Sequence, residues 1–286
     1  MPRVHSPCWF DSTHTPDRLH NFSFLYPLAV CGSLEARTTI AIVGTREPIP
    51  DSEHYAFDLA QTLARAGAVI VSGGALGIDA AAHRGALAAG GRTWCVLPSG
   101  HPRTYPPEHD VLVHEILESR GAVLWTGPTD RDLLRAGFHY RNRVLVALSD
   151  AVVIVQAGMP SGSLHTARIA RTTQKPLFVV PAFPWSPNFR GSLAELERGA
   201  IPLTRERVLL DHLRLSGAPI PLKMKPPGTD ETLWRTLSNT PQHPDVLAEQ
   251  TGLSVHVVLA QLLTLSLEDV VVEVPGGYRL SSKPLK

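Results

Sequence analysis

The chain of 286 residues has little cysteine, and Cys8, Cys31 and Cys95 form no C-x-x-C pair. That excludes a disulfide framework or a zinc ribbon, and leaves buried small hydrophobes as the plainer reading. An excess of one charge is also lacking. Lys and Arg number 27 against 26 Asp and Glu, and the net charge of +1 excludes a globally basic nucleic-acid binder but not a local patch. No apolar run reaches the length of a bilayer span, and the first thirty residues carry no basic segment followed by an apolar one. The expectation is a cytoplasmic protein with no membrane partner. None of the 13 histidines falls in an H-E-x-x-H spacing, so neither a metal nor a cofactor is expected.

Several catalytic signatures are missing as well. There is no G-x-x-x-x-G-K-[ST], no strict G-x-G-x-x-G after the first strand and no G-x-S-x-G elbow. These absences count against Walker-type ATP hydrolysis, dinucleotide binding and α/β-hydrolase chemistry. Ser161 or Ser163 next to His165 makes no triad without a placed base and orienter.

What is present is a folded composition, 43% hydrophobic and 19% charged, in a chain long enough for about two domains. Residues 1–37 mix Pro, His, Ser and aromatics without a sustained period and read as a short N-terminal extension. From Thr38 the run T-T-I-A-I-V-G reads as a buried parallel strand ending in glycine. Further apolar runs at Ala68–Ser72, Arg92–Leu97, Ala122–Trp125, Ala151–Val155 and Pro176–Pro181 alternate with helical stretches such as Asp51–Ala66 and Ile78–Ala89. Parallel strands need crossovers and two covered faces, so 38–215 is expected to be a doubly wound, Rossmann-like α/β domain. Residues 216–228, rich in Pro and Gly, read as a linker. In 229–281, three helix candidates and a hairpin around Pro275-Gly276-Gly277 suggest a winged helix, with Thr251–Ser254 as the turn between its second and third helices.

Ligands of open parallel sheets bind outside the carboxyl ends of the strands. Four polar clusters are expected there: Gly44-Thr45-Arg46; Ser72-Gly73-Gly74, followed by Asp79 and His83; Phe138 to Arg143, F-H-Y-R-N-R; and Ser161-Gly162-Ser163 with Thr166. Small residues let backbone donors approach, hydroxyls add neutral hydrogen bonds, and arginines supply forked charge, a combination suited to phosphate.

The order of these motifs resembles the DNA-processing protein A (DprA, or Smf) family. A-I-V-G-T-R, S-G-G-A-L-G-I-D-A-A-A-H, V-L-P-S-G with Tyr105-Pro106, F-H-Y-R-N-R, S-G-S-L-H-T-A and P-L-F-V-V-P follow one another between Ile40 and about Ala200. The resemblance implies a non-enzymatic single-stranded DNA-binding protein that protects incoming strands and loads the RecA recombinase during natural transformation, working as a homodimer. It matches Arg46 to the arginine of the family's G-S-R motif, with Thr45 in place of the serine. Ser72, Gly73 and Gly74 fall on the glycine turn, and Phe138, Arg141, Asn142 and Arg143 on the F-x-x-R-N-R pocket. Departures include Leu76 at a position often basic, Ala182 where glycine is usual, and Leu193 where asparagine is usual.

Plainer readings stand beside these. Phe138 could offer a π-face to an unstacked base or pack in the core, and Arg141 could hold phosphate or pair with Asp79 or Asp150. Asp79 and His83 fit loop orientation better than contact with DNA. A nucleotide-cleaving phosphoribohydrolase is the competing class, but its P-G-G-x-G-T-x-x-E pattern is absent, the stretch here being Pro160 to Thr166. In the tail, Val255–Leu267 has no Arg or Lys, which argues against sequence-specific duplex reading. Val255, Val258, Leu262 and Leu265 are expected to form its core, with His256 and Gln261 as polar probes.

Overall fold

A computed structural model describes residues 7–11, 16–20, 22–128, 135–215, 229–237, 241–267 and 270–281. The chain divides into two compact units, Met1–Ile220 and Pro221–Lys286. The expected linker, 216–228, lies outside the described residues.

The first unit is built on a nine-stranded sheet of order β1-β2-β6-β5-β4-β3-β7-β8-β9. Its strands are β1 (Cys8–Phe10), β2 (Leu28–Gly32), β3 (Thr39–Val43), β4 (Val69–Ser72), β5 (Thr93–Leu97), β6 (Ala122–Trp125), β7 (Ala151–Ile154), β8 (Leu177–Val179) and β9 (Ile201–Pro202). From β6 across to β9 every pairing is parallel. Helices α1 (Pro50–Arg65), α2 (Ile78–Ala88), α3 (Asp110–Glu118), α4 (Arg135–Leu148), α5 (Gly162–Thr172) and α6 (Arg190–Glu197) supply the connections, and α7 (Glu206–His212) follows the last strand.

Alternation along the strands feeds apolar clusters on both faces of the sheet. In β3, Ala41 and Val43 face α4 and α5, packing with Tyr140, Val144 and Ala167. Ile40 and Ile42 face the other way, onto Leu59 and Leu63 of α1 and Ile78 of α2. The doubly wound expectation holds: both faces of the parallel sheet are covered, and its strands are accordingly buried and nearly all apolar.

The structure departs from the sequence reading at the N-terminal extension. Leu28–Gly32 pairs antiparallel with β6, and Cys8–Phe10 pairs with it in turn. Leu28, Ala29, Val30 and Cys31 are buried. The run is short and has no helical crossover to announce it, so periodicity alone passes over it. It ends where a side chain cannot fit: Gly32 has φ +96°, and a Cβ there would lie 2.1 Å from the Gly121 carbonyl oxygen.

The second unit contains α8 (Glu231–Thr236), α9 (Pro244–Thr251), α10 (Val255–Leu267) and the hairpin β10 (Val271–Val274) and β11 (Gly277–Leu280). Asp230 caps α8, accepting from the N–H groups of Thr232 and Leu233. Gly252, in the left-handed region, ends α9. Val258, Leu262 and Leu265 are buried against Leu233 and Leu247, with Val255 packed partly against them. Gln261 is not the free probe expected, since its Oε1 accepts from Asp230 N–H at 2.8 Å. Among the described residues no single helix is long and apolar enough to cross a membrane.

Candidate nucleic-acid interface

Strand order reverses between β3 and β7: β4 lies on one side of β3, and β7, reached much later in the chain, on the other. Loops leaving such neighbours diverge and open a crevice at the carboxyl edge of the sheet. Here a cleft of about 610 Å³ is walled by Gly44, Thr45 and Arg46 after β3 and by Gly158 and Pro160 to Ser163 after β7. A smaller cavity of about 240 Å³ adjoins it, lined by Leu76, Pro98, Tyr105 and Glu108. Arg46, Ala75, Phe138 and Arg141 line both.

The β3 loop is held by its backbone. Thr45 N–H donates to the Gln156 carbonyl at 2.8 Å, and Ile78 N–H donates to the Thr45 carbonyl at 3.3 Å. Its Arg46 side chain is exposed, with the guanidinium carbon 5.5 Å from the centre of the Phe138 ring. Phe138 is half-buried and meets Tyr105 edge to face at 5.6 Å, so it stands in the cavity wall rather than in an apolar cluster.

F-H-Y-R-N-R does not sit at a strand end, as the sequence reading placed it, but within α4. Phe138 and Arg141, three residues apart, share one helical face and reach the sheet edge from the side. Arg143 falls elsewhere on α4: it is absent from both linings, and its guanidinium lies 5.5 Å from the Phe22 ring centre. Asn142 does line the larger cleft.

Arg141 is buried. Its Nη1 lies 3.7 Å from Asp79 Oδ2 and 3.5 Å from the Val96 carbonyl oxygen, while its Nε has no partner. Asp79 Oδ2 also accepts from the N–H groups of Gly73 (3.1 Å) and Ala75 (3.4 Å). Burial raises the Asp79 carboxyl above its usual range, against the pull of Arg141 and of those amides. Of the two carboxylates considered as partners, Arg141 therefore meets Asp79. Asp150 pairs instead with Arg18, at 2.7 Å. Arg141 is thus seated beneath the cleft beside Asp79, and exposed Arg46 is the better placed to meet an incoming anion.

The remaining sequence candidates divide. Ser161 caps α5, its Oγ accepting from Ser163 N–H, and Gly162, Ser163 and Thr166 line the cleft. Gly73 lines the smaller cavity. Ser72 does not reach either space, because its hydroxyl donates to the Ile42 carbonyl at 2.6 Å. Gly74 lines neither space either: φ is +66°, a Cβ would lie 2.7 Å from Cys95 Sγ, and its carbonyl meets His109 Nδ1 at 2.8 Å. His83 is buried against Thr93.

Sequence reasoning did not select Arg135, His139 or His165, which line the larger cleft. The two imidazoles stand 4.0 Å apart between ring centres. Both histidines fall inside the motifs quoted above, but their meeting across α4 and α5 is tertiary and leaves no mark in spacing.

Comparison with known proteins agrees with this architecture. Residues 10–214 match the family of DNA recombination-mediator protein A, and residues 218–277 match the DprA winged helix domain. Protein Smf of Escherichia coli (strain K12) is 34% identical over 279 residues, covering 93% of this chain and 74% of that protein. A putative DNA processing protein DprA of Mycobacterium tuberculosis is 40% identical over 165 residues, 58% of this chain and 42% of that protein. Among solved structures, DNA processing protein A from Helicobacter pylori has a TM-score of 0.66 at 33% identity, covering 75% of this chain and 98% of that one. The Streptococcus pneumoniae protein has a TM-score of 0.64 at 27% identity, covering 72% and 74%. With a switch-point cleft carrying the family's motifs in order and a family match over most of its length, the chain belongs to the DNA recombination-mediator protein A (DprA/Smf) family.

Proposed function

We propose that this protein binds single-stranded DNA in the switch-point cleft. One observation carries the reading: Arg46 and Phe138, stacked at 5.5 Å, stand at the junction of a polar cleft and a smaller cavity walled by aromatic and proline side chains. Phosphate suits the larger space, where Thr45, the capped start of α5 and three arginines, Arg46, Arg135 and Arg141, converge. An unstacked base suits the smaller one, since Phe138 and Tyr105 offer apolar surface that a paired base in a duplex cannot reach. The Helicobacter pylori relative, whose single-stranded DNA binding mode has been described, supports the assignment.

Family membership extends the reading. The protein protects incoming strands and loads RecA onto them during natural transformation, acts as a homodimer in the cytoplasm, and performs no catalytic turnover of its own. The test is a titration of fluorescent oligonucleotide, single-stranded against double-stranded, at two ionic strengths. Preference for the single strand with steep salt dependence is the expected result; equal affinity for duplex refutes the cleft. RecA-driven strand exchange with and without the protein, and sedimentation, test the loading and the dimer.

A further inference from the structure

Beyond the cleft, the loop after β8 carries two large aromatic rings that none of the apolar clusters uses. Phe183 and Trp185 are 65% and 77% exposed. Their rings stack on one another, 5.0 Å between centres and 12° from coplanar, which leaves each an outer face. Scattered exposed hydrophobics need no explanation, but a paired, parallel aromatic surface does.

The loop is continuous with the cleft wall. β8 pairs with β7, so their trailing loops are neighbours on one rim. The N–H groups of Gly191 and Ser192 donate to the Ala157 carbonyl at 2.9 and 3.1 Å, and Ala157 N–H donates to Ser192 Oγ at 2.9 Å. Gly158, which lines the cleft, backs onto the same loop: a Cβ there would lie 3.9 Å from the Asn188 carbonyl oxygen. Exposed Arg190 follows at the start of α6.

The rings are also held in advance of any partner. Prolines at 181, 184 and 187 fix φ along the loop, and Ser186 N–H closes a turn onto the Phe183 carbonyl at 3.0 Å. A surface ordered before binding loses little entropy when a partner arrives.

We propose that Phe183 and Trp185 form a second stacking platform for bases of the same single strand as it leaves the cleft past Gly158, with Arg190 beside it for phosphate. The proposal rests on the cleft reading above. A platform of π-faces with a nearby cation takes bases of any identity, so it lengthens the grip without adding sequence preference.

The experiment compares wild type, the double variant Phe183→Ala/Trp185→Ala, the conservative Trp185→Tyr and the cleft variant Arg46→Ala. Three fluorescein-labelled probes are used: an oligonucleotide of about 6 nucleotides, one of about 20, and the longer one with abasic sites outside its central segment. The double variant is expected to weaken binding of the intact long probe about fivefold or more per lost stack. It leaves the short and flank-abasic probes unchanged, and Trp185→Tyr retains wild-type affinity. Equal affinity of wild type for intact and abasic long probes overturns the platform, as does a double variant that binds the intact one normally. If the double variant instead loses self-association in sedimentation without DNA while its affinity is unchanged, the rings cover a second copy and the proposal falls. Failure of wild type to bind any single strand, or indifference of all probes to Arg46→Ala, removes the cleft reading and the platform with it. Circular dichroism matching wild type confirms that each variant is folded.

Discussion

The guanidinium of Arg141 occupies the space that a side chain at Gly73 would need. A Cβ built on Gly73 would lie 1.3 Å from Arg141 Nη1 and 2.7 Å from Asp79 Oδ2. Glycine at this position is therefore a condition of the buried Arg141–Asp79 pair, and not only a feature of the turn. Gly73→Ala is expected to push Arg141 out of its seat and to weaken single-strand binding at least as much as Arg141→Ala. Titration of both variants beside a thermal melt checks this: loss of stability with unchanged affinity would reduce the pair to scaffolding.

Arg46 and Phe138 act on different parts of a nucleotide, and their variants should separate. Arg46→Ala is expected to lower affinity for every sequence and to reduce the slope of log affinity against log salt by about 1. Phe138→Leu should cost about 1 to 3 kcal/mol of binding and leave that slope alone. Measuring affinity at several salt concentrations distinguishes the two, and parallel slopes for both variants would contradict the division of labour.

His83 links stability to pH. Its Nδ1 meets Thr93 Oγ1 at 2.7 Å, and that hydroxyl donates onward to the Ile70 carbonyl at 2.8 Å, so Nδ1 must carry the proton and the buried, partnerless Nε2 must not. Burial, with His109, Arg141 and Arg84 nearby, holds the imidazole down to about 3, from an ordinary 6.5. Above about pH 6.5 neither folded nor unfolded chains protonate the group and it adds no slope. As pH falls from there toward 3, only the unfolded chain takes up the proton, and stability declines by up to about 1.4 kcal/mol per pH unit. Denaturant melts across this window should show a shallower decline for His83→Gln.

Helices α1 and α2 approach so closely that one glycine is demanded by the backbone alone. A Cβ on Gly85 would lie 2.1 Å from the Phe57 carbonyl oxygen. Gly85→Ala improves helix propensity yet should destabilise the unit by about 1 to 3 kcal/mol through overpacking. Urea unfolding measures this, and a stabilised variant would mean that the helices separate freely.

The sheet from β3 to β8 could be read in the sequence because its strands are short, largely apolar runs buried on both faces that alternate with helical stretches, and β3 and β4 are each followed at once by glycine. β2 could not, since L-A-V-C is a short antiparallel addition between β1 and β6 with no crossover of its own. Motif order located the rim but did not sort its members. Arg141 and Arg143 look alike in R-N-R, and only the helical turn of α4 sends one beneath the cleft and the other onto Phe22. Ser72 offers the same hydroxyl as Ser163, yet its hydrogen bond to Ile42 spends it inside the sheet. The meeting of His139 with His165, like the stack of Phe183 on Trp185, depends on side-chain placement that no spacing rule encodes.

The antiparallel pairing of Leu28–Gly32 with Ala122–Trp125 has a bearing on biosynthesis. During translation the earlier segment leaves the ribosome several seconds before its hydrogen-bonding mate exists. Until then, Leu28, Val30 and Cys31 have no sheet to enter, and the nascent polypeptide must carry an unsatisfied, sticky edge while three intervening strands are made. Slowed elongation between those two points would prolong that exposure and lower the yield of native protein.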